Sequence, residues 1–588
     1  MFLPCTIEEI KALKWERPDI ILISGDAYID SPYCGTALIG QHLSRNGFKI
    51  AVISQPVKPE DFTALGEPSL FWGISAGCVD SMVANYTASG KRRHSDDFTP
   101  GGENNRRPDR AVIAYANQLR AAFKPCKPIV IGGIEASLRR VAHYDFWSNK
   151  VRRSILADAK ADILSYGMGE RSMLELAHAF AAGAPWKNIR GICYLSSKSE
   201  DIPPNALYLP AFSELSQPDE KGKLKFVEAH RIFSTNQEPV NTRTIVQKTD
   251  ARWLIHNPPA LPLEPDELDK VYDINWMLDA PPSIAAMGKI RALDTIRFAV
   301  TTHRGCYGNC NFCAIAIHQG RRVVSRSEES ILAEIKRFAR HRGFRGVISD
   351  VGGPTANMYG FDCKTKERTG ACRDKRCLFP TVCPLLKPDH RRQLELLAKI
   401  RRLPGVKRVF VASGIRPDLT VADEKHGNCY IDTIAAHHVS GQLKLAPEHV
   451  VAKVLDAMGK PSNDALLRFK ARFDAASRKA GKKQFLTYYF IAAHPGCTAS
   501  DMKQLKTFAR EKLHLNPEQV QIFTPTPMTA STVMYYTGIN PDTGETVFCE
   551  TGLKGKNRQK EMLYPNHANR GELRNASSSG AQFKTKRR

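Results

Sequence analysis

The 588-residue sequence predicts an α/β protein built in two units, a doubly wound sheet followed by a partial β/α barrel. Three observations predict it. Short Ile- and Val-rich runs alternate with amphipathic stretches up to about residue 200. The same alternation resumes after Asp294. Between them the chain is punctuated by proline, at Pro203-Pro204, Pro258-Pro259, Pro262 and Pro265. Alternating strands and helices argue for parallel strands joined by crossover helices. The expected divisions are 1–200 for the first α/β unit and 201–290 for a connector with short elements of its own. Residues 291–550 form the barrel unit, and 551–588 a basic, disordered tail.

In the first unit, strands are expected over 19–24, 48–54, 69–75, 128–132 and 161–166. Helices are expected over Gly35–Asn46, Asp109–Phe123 and Glu170–Ala182. The polar stretch 89–107 reads as a long surface loop. Open parallel sheets bind ligands at the carboxyl ends of their strands. Those ends carry Gly25-Asp26, Ser75-Ala76-Gly77, Gly132-Gly133 and Gly167-Met168-Gly169-Glu170. In its fold and glycine placement the unit resembles the cobalamin-binding-type α/β domain that precedes many radical enzymes. In that family a D-x-H-x-x-G loop supplies a histidine to cobalt. The matching loop here is Asp30-Ser31-Pro32-Tyr33-Cys34-Gly35, with proline at the histidine position. Proline cannot ligate a metal, so histidine-ligated cobalamin is not expected, while cobalamin bound without that ligand stays open. The glycines are read first as turn and packing positions.

In the second unit, strands are expected over Thr295–Thr302, Gly346–Val351, Lys407–Ser413, Gln442–Leu445, Phe485–Ala492 and Gln519–Phe523. Helices fall between them, over Ser327–Arg342, His390–Arg402, Tyr430–His438, Pro461–Lys479 and Ala499–Lys512. Ser325 stands three residues before Glu328, a capping-box spacing for the first of these. Chemistry in such barrels sits at the carboxyl ends of the strands.

The first of those ends carries RGCYGNCNFCAIAIHQGRR, Arg304–Arg322. Cys306, Cys310 and Cys313 are spaced C-x3-C-x2-C. Three thiolates can hold three irons of a four-iron cluster and leave one iron open to a small molecule. Zinc is the rival metal, but it usually takes four ligands. Seven of the 15 cysteines fall within Cys306–Cys383, and such clustering in a reducing compartment favours metal binding over disulfides. The other four of that group, Cys363, Cys372, Cys377 and Cys383, admit a second Fe–S cluster, a structural zinc or a reduced loop.

The C-x3-C-x2-C loop with aromatic Phe312 before the last cysteine is the motif of the radical S-adenosylmethionine (SAM) superfamily. The flanking HRGC, SRS (Ser325–Ser327) and DVGGPTAN (Asp350–Asn357) stretches resemble the YgiQ-type family within it, over most of the chain to about Gly538. The resemblance implies a partial (β/α)6 TIM-like barrel and a [4Fe-4S] cluster on Cys306, Cys310 and Cys313. It also implies SAM on the open iron and an external one-electron donor. SAM is then cleaved to methionine and a 5′-deoxyadenosyl radical that acts on an unknown substrate. Phe312, the Gly352-Gly353 pair and Ser413 are the residues it brings to the cofactor. Glu448 and His494, at later strand ends, are candidates for the same pocket.

The net charge of +25 attracts polyanions, so an RNA-modifying radical SAM enzyme is one alternative, resting on charge without any nucleic-acid motif. A non-catalytic, metal-dependent binding protein is the other. No apolar run approaches the roughly 20 residues of a membrane helix. Glu8 and Glu9 interrupt the first residues where a secretory signal would be apolar. The expected location is therefore cytoplasmic.

Overall fold

The structure is a computed structural model, and it describes residues 1–517 and 520–564. Five buried strands open the chain: β1 (Ile20–Ser24), β2 (Ile50–Ser54), β3 (Phe71–Ser75), β4 (Ile129–Gly132) and β5 (Ile163–Ser165). They pair in the order β2-β1-β3-β4-β5, and every pairing is parallel. Their Ile- and Val-rich sequences follow from burial on both faces, which leaves no polar side to alternate with. The chain order reverses between β1 and β3, the place where such sheets open a crevice.

The sheet does not end at β5. The strands β6 (Ile192–Ser196), β7 (Leu207–Leu209), β8 (Ile245–Thr249) and β9 (Arg252–His256) extend it in the order β5-β6-β9-β8-β7. Three of these short strands, β7, β8 and β9, fall in the segment expected as a connector and tie it to the sheet. The β5–β6, β6–β9 and β9–β8 pairings are antiparallel. The amphipathic helices Gly35–Arg45, Ala111–Ala122 and Glu170–Ala182 cover the faces.

The second unit sets six strand segments side by side in sequence order. Ala299–Thr301 pairs with Asp350–Gly352, and Val347–Ile348 pairs with Arg408–Val409, both in parallel. Ile415 bridges in parallel to Leu445. Gln442–Glu448, Phe485–Ala492 and Val520–Ile522 close the run in parallel. The helix expected to start with a Ser325 capping box is Glu328–Phe338, and its cap is Ser327, whose Oγ accepts from the Ser330 amide at 3.1 Å. Ser325 is instead paired with His303 in a two-residue ribbon.

One hydrophobic core serves both units. It runs from Leu22, Val52 and Val130 on one face of the sheet to Val300, Ile348, Leu443 and Phe490 of the barrel. A second core, with Ile21, Trp72, Ile131 and Leu164, fills the other face. Within the expected tail, Leu553–Glu561 is a helix rather than irregular chain, because it has something to bury. Lys556 donates to Tyr535 Oη at 2.6 Å, and Gln559 bonds the Ala493 amide at 3.0 Å. The basic, Ser-rich stretch 565–588 lies outside the described residues. Among the described residues no helix is long and apolar enough to cross a membrane.

Candidate functional site

The three-cysteine loop leaves the first barrel strand and is closed at its base. His303-Arg304 pairs antiparallel with Val324-Ser325, so the intervening chain forms one excursion. Gly305 begins it with φ +87, a conformation that side chains with a Cβ rarely adopt. A Cβ there would sit 1.9 Å from the Arg322 carbonyl oxygen. Gly305→Ala is therefore expected to prevent the loop from closing. The check is iron uptake during anaerobic reconstitution, which should fall most of the way to that of protein lacking the thiols. The far end of the loop is docked by Asn311, whose amide N–H donates to Met458 O at 2.8 Å and whose Nδ2 donates to Ala457 O at 3.0 Å.

The thiols converge beside a cation. A Cβ built on Gly308 would lie 3.3 Å from Cys306 Sγ, 3.5 Å from Cys310 Sγ and 3.3 Å from Arg416 Nη1. Arg416 reaches Cys310 Sγ at 3.7 Å and is anchored through Nε to Asp418 at 2.9 Å. Burial works against its charge, but the Asp418 carboxylate outweighs it and holds the guanidinium cationic. Burial, reinforced by Cys310, pushes the Cys306 thiol up and Cys313 up to about 12. Without a metal these groups are thiols; iron would displace their protons. Three half-buried thiols on one loop that has no fourth cysteine of its own, facing a fixed cation, fit a four-iron cluster with one open corner.

Two adjoining cavities meet here. One, of about 210 Å³, is walled by the three cysteines and Phe312, and by Arg416, Glu448 and Lys460 opposite. The other, of about 440 Å³, shares Ile315 and Pro354 with it. The larger one lies between the barrel and the sheet. Its barrel wall includes His303, Asp350, Gly353 and Ser413, and its sheet wall includes Leu22, Gly73, Val130 and Met173. Gly73 lets Leu22 pack close in that wall, since a Cβ there would stand 2.6 Å from a Leu22 methyl. His303 is fully buried, and burial lowers its pKa to about 4, so its ring is neutral.

The sequence-predicted residues separate into two groups. Cys306, Cys310, Cys313, Phe312 and Glu448 come together around the smaller cavity. Gly353 and Ser413 line the larger one, where the Ser413 hydroxyl donates to Asp350. Gly352 packs beneath them, since its Cβ would fall 2.8 Å from Ser413 Oγ. His494 does not join either cavity. It is buried, with Nε2 at 2.7 Å from Ser531 Oγ, and meets the edge of Phe312. Sequence reasoning missed Arg416, three residues beyond Ser413 in the same SGIR stretch, and Asp350. It also missed the pairing of Arg304 with Glu170, which joins barrel to sheet.

Comparison with known proteins agrees with this geometry. A family model described as Radical SAM N-terminal matches residues 2–299, and one described as Radical SAM superfamily matches 300–509. A domain of unknown function, DUF3362, matches 518–579. A UPF0313 protein of Fusobacterium nucleatum is 53% identical over 573 residues, covering 97% of this chain and 100% of the relative. One of Thermotoga maritima is 46% identical, covering 96% of this chain and 98% of the relative. Among solved structures, the radical S-adenosylmethionine methyltransferase TsrM of Kitasatospora setae, with cobalamin and a [4Fe-4S] cluster bound, superposes with a TM-score of 0.50 at 13% identity. That match covers 94% of this chain and 91% of TsrM. It shows a shared fold. The protein is thus of the radical SAM class, as its cysteine loop and barrel imply. Within that class, the chain belongs to the UPF0313 family.

Proposed function

We propose that this protein is a radical SAM enzyme that cleaves S-adenosylmethionine reductively and directs the resulting radical at a substrate held between sheet and barrel. The observation that carries the reading is the convergence of Cys306 and Cys310 on Arg416 at the wall of a cavity that adjoins a larger one. Cys306, Cys310 and Cys313 would hold the cluster. When bound, the cluster and SAM supply the one-electron cleavage to methionine and a 5′-deoxyadenosyl radical, the electron coming from an external donor.

The chain's own residues position and insulate. Arg416 offsets the negative charge of the thiolates in a site where little water screens it. Phe312 and Ile315 present apolar surface beside the thiols. Ser413, fixed by Asp350, offers a polar edge at the boundary of the two cavities, where a ribose hydroxyl can be met. Gly353 lets backbone approach the ligand at the neighbouring strand end. The apolar walls of the larger cavity keep water from a radical, which would otherwise be quenched or misdirected.

Cobalamin, which is bound in the TsrM structure, would face the Asp30–Gly35 loop here. Pro32 and Tyr33 line the larger cavity on that side, and no histidine stands in the loop. Asp30 is fully buried and occupied by Tyr28, Gln41 and the Met277 amide. These residues offer cobalt no histidine, so any cobalamin in the larger cavity would be held without one.

The test is anaerobic reconstitution with iron and sulfide, then addition of SAM and dithionite. The expected result is 5′-deoxyadenosine formed in a slow, substrate-free reaction. Protein that takes up a cluster on the three cysteines but yields no 5′-deoxyadenosine would sink the enzymatic reading.

A further inference from the structure

Cys363 stands at the start of the short helix Lys364–Thr369, and Cys372, Cys377 and Cys383 lie in the loop that follows it, outside the three-cysteine motif. All four are free of disulfides. Between the helices Lys364–Thr369 and Arg391–Arg401 the chain has no helix or strand. Loops of that length without elements of their own are uncommon unless function or a fastening explains them. The loop's apolar anchors are Leu378 and Leu386, which join Tyr307 and Met358 in a small satellite cluster. Cys363, Cys377 and Cys383 pack against this same cluster, as does Cys306. The Cys383 amide donates to the Cys377 carbonyl at 2.8 Å and brings those two residues together.

Two cations organise the surroundings. Lys366 is only 4% exposed. Its ammonium bonds Asp362 at 3.0 Å and the Arg321 carbonyl at 3.1 Å, and lies 4.3 Å from the centre of the Tyr307 ring. Arg321 donates to the carbonyls of Cys372 at 3.0 Å and Lys375 at 2.9 Å. A lysine is rarely buried without anionic partners, and Asp362 supplies one. Thiolates on iron would supply the rest.

We propose that Cys363, Cys372, Cys377 and Cys383 hold a second iron–sulfur cluster, distinct from the one assigned to Cys306, Cys310 and Cys313. Four thiolates match the four corners of a cubane. Zinc draws its ligands onto a single ion. A cubane instead sets each thiolate on a separate iron. Cys372 is the exposed member of the four, and its carbonyl is held by Arg321.

The experiment uses the full chain with Cys306→Ala, Cys310→Ala and Cys313→Ala combined, reconstituted anaerobically with iron and sulfide. The loop itself is unaltered in this variant. The expected result is about four iron and four sulfide per chain, with absorption at about 400 nm and an EPR signal on reduction; unaltered protein should hold roughly twice as much. Adding Cys363→Ser and Cys377→Ser should remove the remaining iron. Cys372→Ser alone, at an exposed position, should change the EPR signal while the melting temperature holds. A triple variant that takes up no iron, or whose loop retains zinc through reconstitution, overturns the proposal. So does unaltered protein that cleaves SAM with only about four iron, a result that leaves the proposed function standing.

Discussion

Cys306→Ala should abolish cluster assembly at the first site and with it SAM cleavage. A cubane held by two thiolates would leave two irons open, and removing a ligand in this way typically costs the cluster rather than weakening it. The formation of 5′-deoxyadenosine should fall by about three orders of magnitude or more, to the uncatalysed background. Cys306 is the most informative of the three because its neighbours are independently fixed. Gly305 closes the base of the loop beside it, and the Gly308 amide lies 3.4 Å from its sulfur. Circular dichroism should be unchanged, since Cys306 belongs to the satellite cluster and not to the main core. Cleavage that persists in Cys306→Ala would remove that thiol from the mechanism.

Glu170→Ala should destabilise the whole protein by about 3–5 kcal/mol, because it leaves Arg304 charged and unpaired at a buried junction. The two side chains are 2% and 9% exposed and bond at 2.5 Å. The Tyr272 hydroxyl accepts from Arg304 Nε at 3.2 Å, so three parts of the chain meet there. Burial pushes the Glu170 carboxyl up, but Arg304 outweighs it and holds it below the ordinary 4.5. A carboxylate depressed in the folded state stabilises fully above its unfolded value. That contribution is lost as pH falls through the lower folded value. The melting temperature of the unaltered protein should therefore drop below about pH 4.5 more steeply than that of Glu170→Gln/Arg304→Met. The double variant should also melt closer to the unaltered protein than Glu170→Ala does. Equal melting of Glu170→Ala and the unaltered protein would show that the pair contributes nothing.

The parts legible in the sequence were those where one local pattern has one structural meaning. The first five strands are buried on both faces, so their apolar runs stand out without knowledge of their partners. The cysteine loop is legible because its ligands lie within eight residues. The strands β6 to β9 were less visible, being short and set between prolines and polar turns. Ser325 and Ser327 offer two similar caps, and the long-range ribbon with His303 decides between them. Contacts across the chain carry no local signature at all. Arg416 and Cys310 are 106 residues apart, and Glu170 and Arg304 are 134 apart. Asp350 looks like an ordinary strand residue until Ser413 and the Ala412 amide, at 2.8 Å, arrive from the next strand.

The core that passes unbroken from Leu22 through Val300 to Leu443 has a consequence for how this architecture can be divided or recombined. Neither half is a portable module. A chain cut at the end of the sheet would carry a bare apolar face, and the barrel would carry its mirror image. Grafting a different front half onto the barrel would mean redesigning the packed seam as well as the chamber. The chamber between them is accordingly bounded by two walls set in the same interior. If the proposed function holds, the chamber would change one side chain at a time, at positions such as Gly73 and Met173, while the frame around the cysteine loop stays in place.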